Sequence, residues 1–252
     1  MNATCILVEG KDDIAFMRRL VDKERQSVGL LPLQWRLLSE NDKVIINDSE
    51  WVGNCVASLP TQIVAIMEVK GIYKIDKALD MEPVYGLISV GKKEYPVNKY
   101  VCIFDADAPV NFLGNKVNYG GVSARRKYVH GKLSSSGKAF DVFLLSDNAS
   151  DTTLEDLVSK MIDPKYQFLV QQNWVDYRRK VATDLLAHTG EHALGYSPKC
   201  EVSQFATILD VAVAKDIYWI PALWNDKLWD WNASCLQPLK SFLRAKIPAL
   251  FR

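Results

Sequence analysis

The chain lacks most of the features that would place it at once. No apolar run approaches the ~20 residues that cross a bilayer, so a membrane-spanning helix is not expected. Neither charge dominates. Lys and Arg number 31 against 30 Asp and Glu, a net charge of +1, which gives no global attraction for nucleic acid. Any such binding would need a local basic patch. The five cysteines (Cys5, Cys55, Cys102, Cys200, Cys235) are widely spaced with no CxxC pair, which argues against a sequence-local zinc site. The three histidines are His130, His188 and His192. His188 and His192 have the spacing of one helix face, but Gly190 weakens a helix there and no acid stands at HExxH spacing. There is no GxxxxGK[ST] phosphate loop, no internal repeat and no low-complexity segment. No basic stretch precedes an apolar signal core at the N-terminus. A cytoplasmic protein is therefore expected.

What is present is concentrated in two carboxylate clusters. Cys5-Ile6-Leu7-Val8 stops at Glu9-Gly10-Lys11-Asp12-Asp13, and Tyr100-Val101-Cys102-Ile103-Phe104 stops at Asp105-Ala106-Asp107. A short apolar run of this kind reads as a buried strand in a parallel sheet. Ligands of open α/β sheets gather at the carboxyl ends of such strands. Two neighbouring strands ending this way would bring Glu9, Asp105 and Asp107 into one small volume. Like charges that close call for a counter-charge. A hard divalent cation with oxygen ligands, Mg²⁺ or Mn²⁺ in its place, would supply it. In extended backbone, residues i and i+2 face the same way, so Asp105 and Asp107 are expected to point at one cation. Gly10 would let backbone approach a phosphate.

Along the chain, residues 4–8 read as a strand, with Asp12 or Asp13 opening a helix to about residue 23 on the apolar positions Ile14, Phe16, Met17, Leu20 and Val21. Residues 33–38 and 62–69 read as further strands, and 72–79 after Gly71 as a short helix. The polar stretch through Asn41, Asn47, Asp48 and Gly53 has no clear assignment. Residues 84–90, ahead of Gly91 and Pro96, suggest a hairpin arm. After the 100–104 strand, Pro109 would turn the chain away from the sheet. The Gly-, Ser- and Lys/Arg-rich segment 115–138 reads as active-site loops with at most a short helix. Residues 140–145 read as a strand and 154–161 as a helix. Beyond Pro164 the pattern turns helical, over 171–188, 202–214 and 236–250, the last interrupted by Pro248. Strand–helix alternation followed by helices implies an α/β fold, a mostly parallel sheet flanked by helices, with a helical C-terminal extension. The boundary falls at 1–163 for the α/β domain and 164–252 for the extension packed on it.

The segment Val8-Glu9-Gly10-Lys11-Asp12-Asp13, with Phe16 and Leu20, resembles the opening motif of Toprim domains, and Phe104-Asp105-Ala106-Asp107 resembles their DxD motif. A third block, from Phe143-Leu144-Leu145-Ser146-Asp147-Asn148 to Thr153-Leu154-Glu155-Asp156-Leu157, is similar to one in a Toprim-related family of uncharacterised bacterial proteins. Overcoming-lysogenization-defect nucleases carry a related domain. The resemblance covers roughly the first 160 residues. It implies a Toprim-like, Rossmann-like sheet and Mg²⁺-dependent phosphodiester chemistry, as in a nuclease acting on DNA or RNA. Asp105, Asp107, Glu9 and Asp13 would hold metal, Glu155 and Asp156 would serve a second ion, and Glu9 would be ligand or general acid/base. Two alternatives stay open: a non-catalytic module binding nucleic acid or nucleotide, and an interaction protein with a vestigial carboxylate site. A motor of the kind fused in the lysogenization-defect nucleases is absent from this sequence, and a partner protein could supply the ATPase activity.

Several residues have two readings. Lys11, between the acids, is a candidate catalytic and phosphate-binding group. Arg125, Arg126 and Lys127 are candidate phosphate contacts or a solvated loop. Glu155 is a metal ligand or an early helix acid favoured by the dipole. Ser134, Ser135 and Ser136 read as loop. Trp219, Trp224, Trp229 and Trp231 are core of a helical cap, a base-stacking platform or a protein interface.

Overall fold

The computed structural model describes residues 1–46, 50–75, 86–107, 120–145, 147–166 and 228–252, together with 180, 183–184 and 187–188. The first strand, β1 (Ala3–Val8), is buried along its whole length. That is why its sequence is uniformly apolar rather than alternating. Gly10 then turns the chain into α1 (Lys11–Ser27), where the Gly10 N–H donates to the Asp13 carboxylate at 2.9 Å. Ile14, Phe16, Met17, Leu20 and Val21 bury one face of this helix. Gly29, with φ of 78°, ends it in the left-handed region that favours glycine.

Four short strands follow: β2 (Arg36–Leu37), β3 (Val44–Ile45), β4 (Trp51–Val52) and β5 (Cys55–Ser58). The strand expected over 33–38 is only its last part. The stretch without an assignment contains the β3–β4 hairpin and leads into β5, which pairs antiparallel with β6 (Ile63–Glu68). The expected hairpin arm is β7 (Leu87–Val90), paired antiparallel with the first residues of β8 (Lys93–Asp105). β8 is long enough to pair with β7 at its start and with β9 (Ala139–Leu145) at its end. Of the helix expected over 72–79, the described part is a 3-10 turn, Ile72–Lys74, followed by the helical Ile75.

The segment 115–138 departs most from expectation. Its described part holds α2 (Val122–Leu133), a three-turn helix whose buried residues are Arg125, Val129 and Leu133. These recur every fourth position, the spacing of one helix face. With an arginine as the first of the three, the stripe does not read as apolar. α3 (Leu154–Lys160) matches expectation, and α4 (Gln237–Lys246) ends before Pro248, which begins a final 3-10 turn.

Among the described residues the main sheet has seven strands. Its path runs β2-β5-β6-β1-β8-β7, with β9 also on β8. The four strands β6, β1, β8 and β9 are mutually parallel. One face buries Ile6, Val8, Val101 and Ile103 against α1, α3 and the segment 228–250. The other buries Cys5, Leu7, Cys102 and Phe104 against Val129 and Leu133 of α2. The molecule is thus an α/β fold with a largely parallel central sheet flanked by helices. Trp229 and Trp231 are buried in the first layer, and Trp231 stacks on Phe16 at 6.1 Å between ring centres. For these two tryptophans the core reading holds. Trp219, Trp224, His192, Cys200, Pro109 and the helix expected over 202–214 lie outside the described residues. Only a few residues of 171–188 are described, among them His188, whose Nδ1 lies 2.8 Å from the Asp184 carbonyl.

A candidate carboxylate site at the strand ends

β1 and β8 are parallel neighbours in register, with Leu7 opposite Cys102. Their carboxyl ends therefore deliver Glu9 and Asp105 side by side. The Asp105 N–H donates to Glu9 Oε1 at 3.1 Å. The same ends are pinned from both sides. Gly71, at φ 97°, donates its N–H to the Glu9 carbonyl at 3.0 Å, and the Leu154 N–H at the start of α3 donates to Asp105 Oδ1 at 2.7 Å. A cleft of about 390 Å³ opens here, lined by Glu9, Lys11, Asp13, Asp105, Glu155 and Gly71 among others.

Four of the expected carboxylates, Glu9, Asp13, Asp105 and Glu155, share this cleft. The other two metal-ligand candidates are elsewhere. β8 ends at Asp105, and Asp107 has φ of 48°, a left-handed turn in which the same-face rule of an extended strand no longer applies. Its carboxylate pairs with Arg125. Asp156 is spent locally. It accepts from the Thr153 N–H at 2.8 Å while Thr153 Oγ1 accepts from the Asp156 N–H at 3.4 Å, a capping box on α3.

The basic candidates also separate. Arg125 is 3% exposed and lies in the first turn of α2, not on a solvated loop. Its guanidinium bridges Glu9 Oε1, at 2.8 Å, and Asp107. Two of its nitrogens are thereby committed to carboxylates, which leaves it poorly placed to receive a phosphate. Arg126 holds the Asn148 carbonyl and side-chain oxygen, each at 2.9 Å. Lys127 is exposed on α2. Of the phosphate candidates, Gly10 and Lys11 line the cleft.

The electrostatics follow from this crowding. Burial raises the Glu9 carboxyl, and Arg125 with the Asp105 and Ile72 N–H groups offsets part of that rise. Asp13 is pushed well up by burial and then by Glu9. Asp105 is pushed well up by burial, then by Asp13, Glu9 and Glu155. Asp13 Oδ1 is buried with no hydrogen-bond partner among the described residues. A buried carboxylate oxygen without a donor is costly unless protonated or joined by a cation. The donor set is all oxygen, as a hard divalent cation requires. Among the described residues no three such side chains already stand in the arrangement of a formed metal site, so a cation would have to draw them together.

These shifts predict a pH dependence. A carboxyl raised in the folded state binds more protons than in the unfolded chain over the window between its ordinary pKa, about 4, and its folded one. Stability therefore falls as pH rises through that window, and the penalty is complete above it. Without divalent cations, the protein should melt higher at mildly acidic pH than at neutral or alkaline pH. The gain reverses at lower pH, where Asp141 and Asp147, held below the usual range by lysine pairing and by Ser150, lose their contributions. Asp105→Asn keeps an oxygen for the Leu154 N–H while removing one charge. It should raise the melting temperature of the cation-free protein at pH 7, by about 2–4 °C for each kcal/mol relieved, and flatten the slope. A variant that melts at or below wild type at pH 7 would mean the cluster is not repulsive.

Sequence reasoning missed two residues here. The buried bridging role of Arg125 was hidden because the segment around it reads as loop. Its spacing from Val129 and Leu133 is the signal that would have found it. Glu68, buried at the end of β6 beside Val8, is another acid that closes an apolar strand. The rule that picked out Glu9 and Asp105 applies equally to it.

Neither a family model nor a curated protein matches the chain. Among solved structures, the chain is similar to a hypothetical protein from Pyrococcus horikoshii OT3, at 16% identity and a TM-score of 0.45, over 99% of this chain and 92% of that one. At that score the likeness carries no argument about fold family or activity. No helix among the described residues is long and apolar enough to cross a membrane.

Proposed function

We propose that the cleft binds a hard divalent cation, Mg²⁺ or Mn²⁺, and that the protein is a Toprim-type enzyme of phosphodiester chemistry, a nuclease on DNA or RNA. The observation that carries this reading is the convergence of Glu9, Asp13, Asp105 and Glu155 on one cleft at adjacent parallel strand ends, with an unpartnered buried oxygen on Asp13. Asp105, Asp13 and Glu155 would hold the cation. A bound Mg²⁺ supplies Lewis acidity, drawing charge from a phosphoryl oxygen and making water a better nucleophile. Glu9, with its carboxyl raised by burial, is suited to take a proton from attacking water at Oε2, since Oε1 already accepts from Arg125 and the Asp105 N–H. Arg125 and the Asp105 N–H fix its orientation. Lys11 and the amino end of α1 face the cleft with positive charge, where a phosphate would sit. Gly10 leaves room for its approach, since the nearest atom to a Cβ placed there would be the Asp13 carboxylate at 3.7 Å.

The second reading is a non-catalytic nucleic-acid or nucleotide module, or an interaction protein with a vestigial site. What favours it is Arg125, which already neutralises part of the cluster, and the lack of a formed three-ligand group among the described residues. Calorimetric titration with Mg²⁺ and Mn²⁺, followed by a cleavage assay on mixed DNA and RNA, separates the two. The enzyme reading expects binding, cation-dependent cleavage, and loss of both by at least 10-fold in Asp105→Asn. Binding without cleavage supports the second reading. Equal cation affinity in wild type and Asp105→Asn removes the cleft from either account.

A further inference from the structure

The pair of Arg125 and Asp107 bears on how many cations the cleft can take. Arg125 is almost wholly buried, and its two terminal nitrogens reach Glu9 and Asp107 from the α2 side. The remaining nitrogen, Nε, is buried without a hydrogen-bond partner among the described residues. The guanidinium is thus a fixed unit charge lodged on one flank of the carboxylate cluster. Asp107 is set toward it by its left-handed backbone, and the Asp107 carbonyl accepts the Gly121 N–H that starts α2, at 2.7 Å. Asp107 does not line the cleft. Arg125 does not line the cleft either, whereas Asp13, with a buried oxygen that has no hydrogen-bond partner among the described residues, lines it together with Asp105 and Glu155.

We propose that Arg125 stands in for a second cation: the cleft takes one divalent ion, on the Asp13–Asp105–Glu155 flank, and Asp107 is a positioning residue for Arg125 rather than a metal ligand. The proposal rests on the cation-binding reading above and narrows it. A divalent ion held by Asp107 would sit against the guanidinium that already pairs with that carboxylate, and like charges that close repel. The paired acids of the 105–107 motif then do different work. Asp105 meets the cation, while Asp107 fixes the arginine that orients Glu9.

The test is the stoichiometry and ligand set of Mn²⁺ binding to the full chain, read by calorimetry and by electron paramagnetic resonance of free Mn²⁺. Circular dichroism and melting curves control for folding. Wild type should bind one Mn²⁺. Asp107→Asn should keep that binding within about 3-fold, Asp105→Asn should weaken it at least 10-fold, and Arg125→Gln should admit a second, weaker Mn²⁺. Two ions in wild type, or equal losses in the Asp107 and Asp105 variants, would overturn this inference and leave cation binding standing. No Mn²⁺ bound by wild type would overturn both. If Asp107→Asn fails to fold, the wild-type stoichiometry alone still decides between one ion and two.

Discussion

Trp229→Ala should destabilise the protein by about 3–5 kcal/mol, the usual cost of truncating a large aromatic side chain in a packed core. Trp229 is 3% exposed, and its backbone forms a bridge with Ile162 just beyond α3. The crossing is doubly tied, by the Asp230 N–H to the Met161 carbonyl at 2.7 Å and the Asp163 N–H to the Leu228 carbonyl at 2.8 Å. The ring thus sits where the C-terminal segment joins the layer over α1 and α3. Urea melts of wild type and variant measure the difference. A stacking platform for single-stranded nucleic acid predicts the reverse, near-normal stability with about 1–3 kcal/mol lost from binding. Overlaid melting curves would overturn the core assignment. Trp231 offers a contrast, since its Nε1 is buried with no partner among the described residues. Trp231→Phe gives up some packing on Phe16 but also relieves an unsatisfied N–H, so its cost should be well below that of Trp229→Ala.

The sequence made the central strands legible because burial on both faces leaves a continuous apolar run, and such runs end where the chain meets the cleft. β1, β6 and the end of β8 all announce themselves this way, and β9 does so only from Val142 onward, after Asp141. β5 did not, because Cys55-Val56-Ala57-Ser58 is short and small-residued and sits toward the edge, paired antiparallel to β6. α2 did not, because its buried stripe opens on Arg125 and its flanks carry Gly121 and Gly137, which read as loop. The candidate site divides along the same line. Glu9 and Asp105 follow from strand ends, which are local features, while Asp13 was implied by the resemblance of its segment to the Toprim opening motif. Asp107 was placed by a rule that holds only while the strand continues, and one left-handed residue undoes it. Asp156 had two uses open to it, and a capping box needs only the neighbouring Thr153. The bridging role of Arg125 spans 116 positions to Glu9 and could be seen only once the sheet had brought the two together.

Glu24→Gln should cost a comparable 3–5 kcal/mol, roughly the penalty for leaving one buried charge without its partner. Glu24 of α1 and Lys240 of α4 are both almost wholly buried and pair at 2.8 Å, while the half-exposed Arg244 meets the other Glu24 oxygen. Lys240 Nζ also donates to the Trp231 carbonyl at 2.7 Å. An amide in place of the carboxylate keeps one acceptor but leaves the buried ammonium uncompensated. Arg244→Gln, at the solvated end of the same triad, should cost only about 0–1 kcal/mol. Replacing the inner pair together, with Glu24→Leu and Lys240→Met, should recover most of the loss, because packed apolar side chains avoid the desolvation of both charges. Denaturant melts of the four proteins test this pattern. A Glu24→Gln curve that overlays wild type would show that Lys240 reaches solvent when its partner is lost. The consequence reaches the cleft, because α4 braces α1 from its carboxyl-terminal half while the opposite end of the same helix carries Gly10, Lys11 and Asp13. Loosening the brace should therefore weaken cation binding at the far end of α1 without touching any of its ligands, and Mn²⁺ affinity measured on Glu24→Gln below its melting transition reads that coupling directly.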